Sequence, residues 1–265
     1  MSSRFVIISI VFISLFSCQT NEAPEVNLEL NATRVPLGDS TVFLISSLNT
    51  NGSILLLNVH ENEQTAIKTM ISRGWKDSLP FLFLHQREQR RIFFKVNDTL
   101  HSIDPNRMFT TRGIRNTLMD SMFYTQIGQR KAEILAEAVL KRIENRSWIV
   151  TMHNNTQDNY SILSYVEGGD EAMNAEEVVL HKNEDPDDFI LTTNRELFVR
   201  LKSTGVNVVL QAKNPLDDGS LSVYCEQNNI PYVNIEAQHG HLEKQMQLLD
   251  LVLKTIEKPI RQSLN

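Results

Sequence analysis

The chain has 265 residues, with 26 Lys and Arg against 32 Asp and Glu, for a formal charge of −6. This balance offers no basic footprint and argues against nucleic acid as a partner. The only cysteines are Cys18 and Cys225, too few for a disulfide framework to organise the fold.

The N-terminus reads as a targeting segment. Arg4 supplies a positive start, and residues 5–16 are an apolar and small-residue stretch too short to span a bilayer as a helix. The stretch ends in Leu15-Phe16-Ser17-Cys18, which resembles a bacterial lipobox. The expectation is a lipoprotein signal peptide over 1–18, lipidation at Cys18, and a flexible polar tether over 19–30. The protein would then be anchored to a membrane at the bacterial cell envelope, on its periplasmic or outer-membrane face. An ordinary secretory signal or a short N-terminal anchor is the alternative. Cys225 is left alone in the mature chain and reads as a core residue. Residues 31–265 are enough for one large α/β domain, and no break in composition calls for a second.

Along this body, strand-like and helix-like segments alternate. Residues 41–46 read as a strand, followed by a turn at Asn49-Thr50-Asn51-Gly52. Residues 54–59 are an apolar strand, and 64–73 a helix closed by Gly74. Segments 79–84 and 91–96 are rich in Phe, Leu, Ile and Val and read as strands. Over 126–145, Ile134, Leu135, Ala138, Val139 and Ile143 keep helical spacing. Segments 149–152 and 206–211 read as buried strands, 221–228 as a helix and 232–235 as a strand. The last helix, 241–258, carries Leu242, Met246, Leu249, Val252, Leu253 and Ile256 on one stripe.

The residues that carry chemistry fall at strand ends. The strand at 54–59 runs into His60-x-x-Glu63, and the strand at 149–152 runs into His153, which stands 90 positions after Glu63. Two imidazoles and a carboxylate are a three-ligand set that leaves one position open on a catalytic zinc. Two further motifs follow the same placement: Asp104-Pro105-Asn106-Arg107-Met108-Phe109, and Glu236 after Tyr232-Val233-Asn234-Ile235. In open α/β sheets, ligands bind beyond the carboxyl ends of strands. Each motif also has a structural reading: Glu63 as a helix N-terminal acid, Asp104-Pro105-Asn106 as a turn with Arg107 on the surface, and Glu236 as a salt-bridge partner. Asn154 and Asn155 are read as turn formers.

Taken together and in this order, the motifs resemble the aspartoacylase and succinylglutamate desuccinylase family, and behind it the zinc carboxypeptidases. The resemblance covers roughly residues 55–240. It implies a three-layer α/β zinc-carboxypeptidase-like fold with a mixed central sheet. It also implies one zinc per chain on His60, Glu63 and His153, a substrate carboxylate held by Asn106 and Arg107, and Glu236 as general base and acid. The implied activity is hydrolysis of an amide or peptide bond near a free carboxylate, as in a carboxypeptidase or N-acyl amino acid deacylase. A catalytically degenerate metal- or ligand-binding lipoprotein is the rival. The family's usual arginine shortly before the Asn-Arg pair is missing, and Arg91, Arg112 and Arg115 are the nearest candidates for an oxyanion stabiliser. His239 and His241 add two histidines after Glu236. The chain ends soon after its last helix, so a capping C-terminal β-domain is not expected and acyl-aspartate specificity is not carried over.

Overall fold

The computed structural model describes residues 30–257 apart from residues 122 and 158. The expected signal peptide, Cys18 and residues 19–29 of the tether lie outside the described residues. The body is an α/β fold built on a nine-stranded mixed sheet. In chain order its strands are β1 (Leu30–Leu37), β2 (Ser40–Ser47), β3 (Ile54–Asn58) and β4 (Phe81–His85), then β7 (Trp148–Asn155), β8 (Ala175–Val179), β9 (Phe189–Thr192), β10 (Asn207–Gln211) and β11 (Tyr232–Gln238). A separate hairpin pairs β5 (Ile92–Val96) with β6 (Thr99–Ile103). The spatial order is β1-β2-β4-β3-β7-β11-β9-β10-β8.

The centre of the sheet positions the site. β4, β3, β7 and β11 run parallel to one another, so the carboxyl ends of β3, β7 and β11 share one edge. β3 reads Ile-Leu-Leu-Leu-Asn and is buried throughout. Its side chains alternate between two cores: Leu55 and Leu57 belong to one, Ile54 and Leu56 to the other. A strand covered on both faces has no use for polar alternation, which is why this segment is one apolar run.

The two cores sort the helices into layers. Helices α1 (Gln64–Lys76), α4 (Arg195–Leu201) and α6 (Leu242–Glu257) bury Met70, Phe198, Leu249 and Val252 against one face. Helices α2 (Thr111–Asp120), α3 (Gln126–Ile143) and α5 (Leu221–Gln227) bury Leu118, Leu135, Val139 and Cys225 against the other. Thr110, Thr125, Asn194 and Ser220 cap α2, α3, α4 and α5 by accepting a backbone N–H.

One expectation changes and another holds. Gly74 does not end α1, which runs on to Lys76. A Cβ there would lie 2.5 Å from the Phe81 ring, so Gly74 serves close packing of helix on strand. Cys225 is fully buried, and burial pushes its thiol well above the usual range, as a core residue requires. Elements β1, β6, α2, β8, β9 and α4 were not expected from the sequence.

Candidate metal centre and cavity

His60 follows β3, and Glu63 immediately precedes α1, where its carbonyl accepts from Ile67 N. His153 lies in β7 directly across from Glu236 in β11. All four are 5 % exposed or less. Side-chain ligand atoms of His60, Glu63 and His153 all lie within 4.8 Å of one another. His60 Nδ1 is 2.9 Å from Glu63 Oε1, His153 Nδ1 is 2.8 Å from Glu63 Oε2, and the two Nδ1 atoms are 3.2 Å apart.

The surrounding contacts orient this group. His60 Nε2 donates to Asp104 Oδ1 at 2.8 Å, which turns Nδ1 toward Glu63 and His153. A metal-binding imidazole whose outer nitrogen is held by a carboxylate is the usual arrangement of a metal site. Asn58 Nδ2 donates to Glu63 Oε2 at 3.2 Å. His153 Nε2 is buried with no partner among the described residues. Two imidazoles and one carboxylate, convergent and buried, fit a zinc ion in donor type and number.

Electrostatics follow from this crowding. Burial pulls the His60 imidazole down, but Glu63 and Asp104 hold it up to about 9. Burial works against ionisation of Glu63, yet the two histidines keep its carboxyl well below the ordinary range. Asp104 is likewise held low, with His60 and Arg90 outweighing its burial. Glu236 differs: burial raises its carboxyl above the ordinary value, only partly opposed by His153 and Asn234. Asn234 Nδ2 donates to Glu236 Oε1 at 2.9 Å.

These residues open on a cavity of about 460 Å³ that is also lined by Arg90, Asn106, Arg107, Tyr160, Asp218 and Gln211. Asn106 and Arg107 belong to a 3-10 turn, Pro105–Arg107, capped by Asp104. Asp104 is thus both the start of that turn and the partner of His60. Arg107 lies 3.4 Å from Asp218 Oδ2 and donates to the carbonyl of Asn106. Asn106 Oδ1 accepts from Leu221 N at 3.2 Å. Gly113 and Gly219 bring these loops together: a Cβ on Gly113 would stand 2.2 Å from the Gly219 Cα, and Gly219 sits at φ +83.

Among the arginines near this centre, one that the sequence did not single out lines the cavity beside Glu63. Arg91 bonds Ser102 and Thr117 away from the cavity, and Arg115 stacks on Tyr124. Neither they nor Arg112 line it. Arg90 does, with its guanidinium 3.2 Å from Glu63 Oε1 and 3.6 Å from Asp104 Oδ2. Its loop is fixed by Glu61, which accepts from Gln86 N and Glu88 N and contacts His85 Nδ1. His241 pairs with Asp188 at 3.2 Å, and neither His239 nor His241 lines the cavity. Asn154 is more than a turn former. Buried, it accepts from Ala66 N and donates toward the carbonyls of His153 and Ala237 and to Gln245 Oε1.

No family model matches the chain, and no curated protein matches it in sequence. Among solved structures it is similar to bovine thrombin-activatable fibrinolysis inhibitor, at 11% identity and TM-score 0.47 over 85% of this chain and 88% of that one. It is also similar to an aspartoacylase family protein from Mesorhizobium loti, at 12% identity and TM-score 0.45 over 86% of this chain and 66% of that one. A succinylglutamate desuccinylase/aspartoacylase from Rhodobacter sphaeroides shares 13% identity and a TM-score of 0.41 over 91% of this chain and 68% of that one.

Proposed function

We propose that the protein is a zinc-dependent hydrolase that cleaves an amide or peptide bond beside a free carboxylate. The observation that supports this reading most is the convergence of His60, Glu63 and His153 at the head of a cavity that also holds buried Glu236 and Arg107. His60, Glu63 and His153 would hold one zinc per chain. The ion, when bound, supplies a lowered pKa for a coordinated water and polarisation of the scissile carbonyl.

The chain's own residues do the rest. Glu236 Oε1 is engaged by Asn234, which leaves Oε2 to take a proton from water and deliver it to the departing nitrogen. Its burial raises proton affinity above that of an ordinary carboxylate, the direction a proton shuttle needs near neutral pH. Arg107 and the amide nitrogen of Asn106, which line the same cavity, orient the substrate carboxylate. Arg90 is the cation nearest the ligand group, and we assign it to the negative charge that develops on the carbonyl oxygen.

Substitution of Glu236 by Gln keeps shape and hydrogen bonding while removing the base. We expect Glu236→Gln to bind zinc like the parent and to lose on the order of 10²- to 10⁴-fold in kcat. Full activity in that variant would remove Glu236 from the mechanism. We further propose, from the lipobox-like segment ending in Cys18, that the enzyme is lipid-anchored at the cell envelope and acts on small-molecule or peptide substrates there. Incorporation of labelled palmitate, lost on Cys18→Ala, tests the anchor.

A further inference from the structure

The cavity reaches the carboxyl end of β10, where the lining changes character. Gln211, the last residue of β10, is 3 % exposed and lines the cavity, yet its Nε2 finds no acceptor among the described residues. A buried amide donor left unpaired is destabilising, so its presence on a cavity wall points to a ligand acceptor. The backbone is shaped around it. Pairing of β10 with β8 slips between Leu210 and Gln211, and a bulge of this kind re-aims the side chain.

Two neighbours define what the ligand must offer. Ala212 N donates to Asn174 O at 2.9 Å, and Asn174 Nδ2 donates to Glu171 Oε2 at 2.5 Å, which links Glu171 through Asn174 to the residue after Gln211, and all three side chains line the same cavity. This end therefore presents a donor from Gln211 and an acceptor from Glu171. An alkyl side chain satisfies neither. An ammonium suits Glu171 but has no acceptor for Gln211. A carboxylate suits Gln211 but faces the Glu171 charge. A carboxamide offers an oxygen to one and N–H groups to the other.

We propose that this end of the cavity binds the side chain of the substrate's carboxylate-bearing residue and selects one that ends in a carboxamide, with Gln211 as the specificity-determining residue. The placement rests on the carboxylate-directed reading above. The test is calorimetric binding of N-acetyl-L-glutamine, N-acetyl-L-leucine, N-acetyl-L-lysine and N-acetyl-L-glutamate to the full Glu236→Gln chain supplied with zinc, which leaves the ligands uncleaved. The glutamine ligand should bind roughly tenfold or more tightly than the other three, since a site built for hydrogen bonds rejects analogues that lack them. Gln211→Leu should abolish the preference for glutamine over leucine. Glu171→Ala, at a partly exposed position that keeps the fold, should weaken the glutamine ligand several-fold without improving the leucine one. Equal binding of glutamine and leucine ligands, tighter lysine or glutamate binding, or no binding of any ligand would each overturn the proposal. The ratio is measured without turnover, so it can fail while zinc loads and amides are cut, or hold where the bond-cleaving reading fails.

Discussion

Charge around His60 is held by its immediate neighbours. Asp104 fixes the His60 ring from outside and shares Arg90 with Glu63. Substitution of such an outer partner costs metal affinity without removing a ligand. We expect Asp104→Ala to weaken zinc binding about 10- to 100-fold, read by competition with a chromophoric chelator. Unchanged affinity would mean that Asp104 serves only the 3-10 turn. The same contacts set a pH dependence. Glu63 and Asp104 hold the His60 imidazole up at about 9 in the folded protein against an ordinary 6.5, so its charged form is stabilised by folding. That contribution is present in full below about pH 6.5 and is lost as pH rises through 9. The chelated protein should therefore melt at progressively lower temperature between those limits, and His60→Gln should flatten the decline. Arg90→Ala, in turn, should lower kcat by on the order of 10²-fold with zinc still bound. An undiminished kcat would leave Arg90 as no more than a screen for Glu63.

At the scale of elements, parallel β3, β7 and β11 deliver His60, His153 and Glu236 to one edge, and Asn154 ties that edge to both flanking helices. Its four bonds reach Ala66 in α1, the backbone of β7 and β11, and Gln245 in α6. Replacing it with Leu strands several buried groups at once. We expect a loss of about 3 kcal/mol in a denaturant titration, since one unsatisfied buried group costs roughly 1–3 kcal/mol. Stability close to the parent's would show that water or rearrangement substitutes for the side chain. The ligand-bearing strands were legible in the sequence because burial on both faces writes them as short apolar runs. The edge strands β1 and β8 were not. Both carry mixed polar sequences, and Pro36 in β1 is tolerable only on an edge. Strand β9 is four residues long, too short for a period to show.

At the scale of the whole molecule, the candidate centre was readable where spacing along the chain mirrors position in the sheet. His60-x-x-Glu63 and His153 announced themselves as polar residues ending apolar runs. Arg90 did not, because it reaches the centre through a loop whose path depends on Glu61, and no pattern near Arg90 records that tertiary contact. Gln211 is similar. It ends a predicted strand, but only the arrangement of β8, β10 and the loop around Asn174 turns its amide into a cavity wall. The two cores and their helix layers hold these loops in place, so binding of zinc at the head of the cavity should stabilise the entire domain. Whether His60, Glu63 and His153 hold a metal is read by plasma mass spectrometry on the purified protein, beside a His60→Ala/His153→Ala variant. The parent should carry about one zinc per chain and the variant none, consistent with a site of three protein ligands. A parent protein that binds no metal even when zinc is supplied would contradict it.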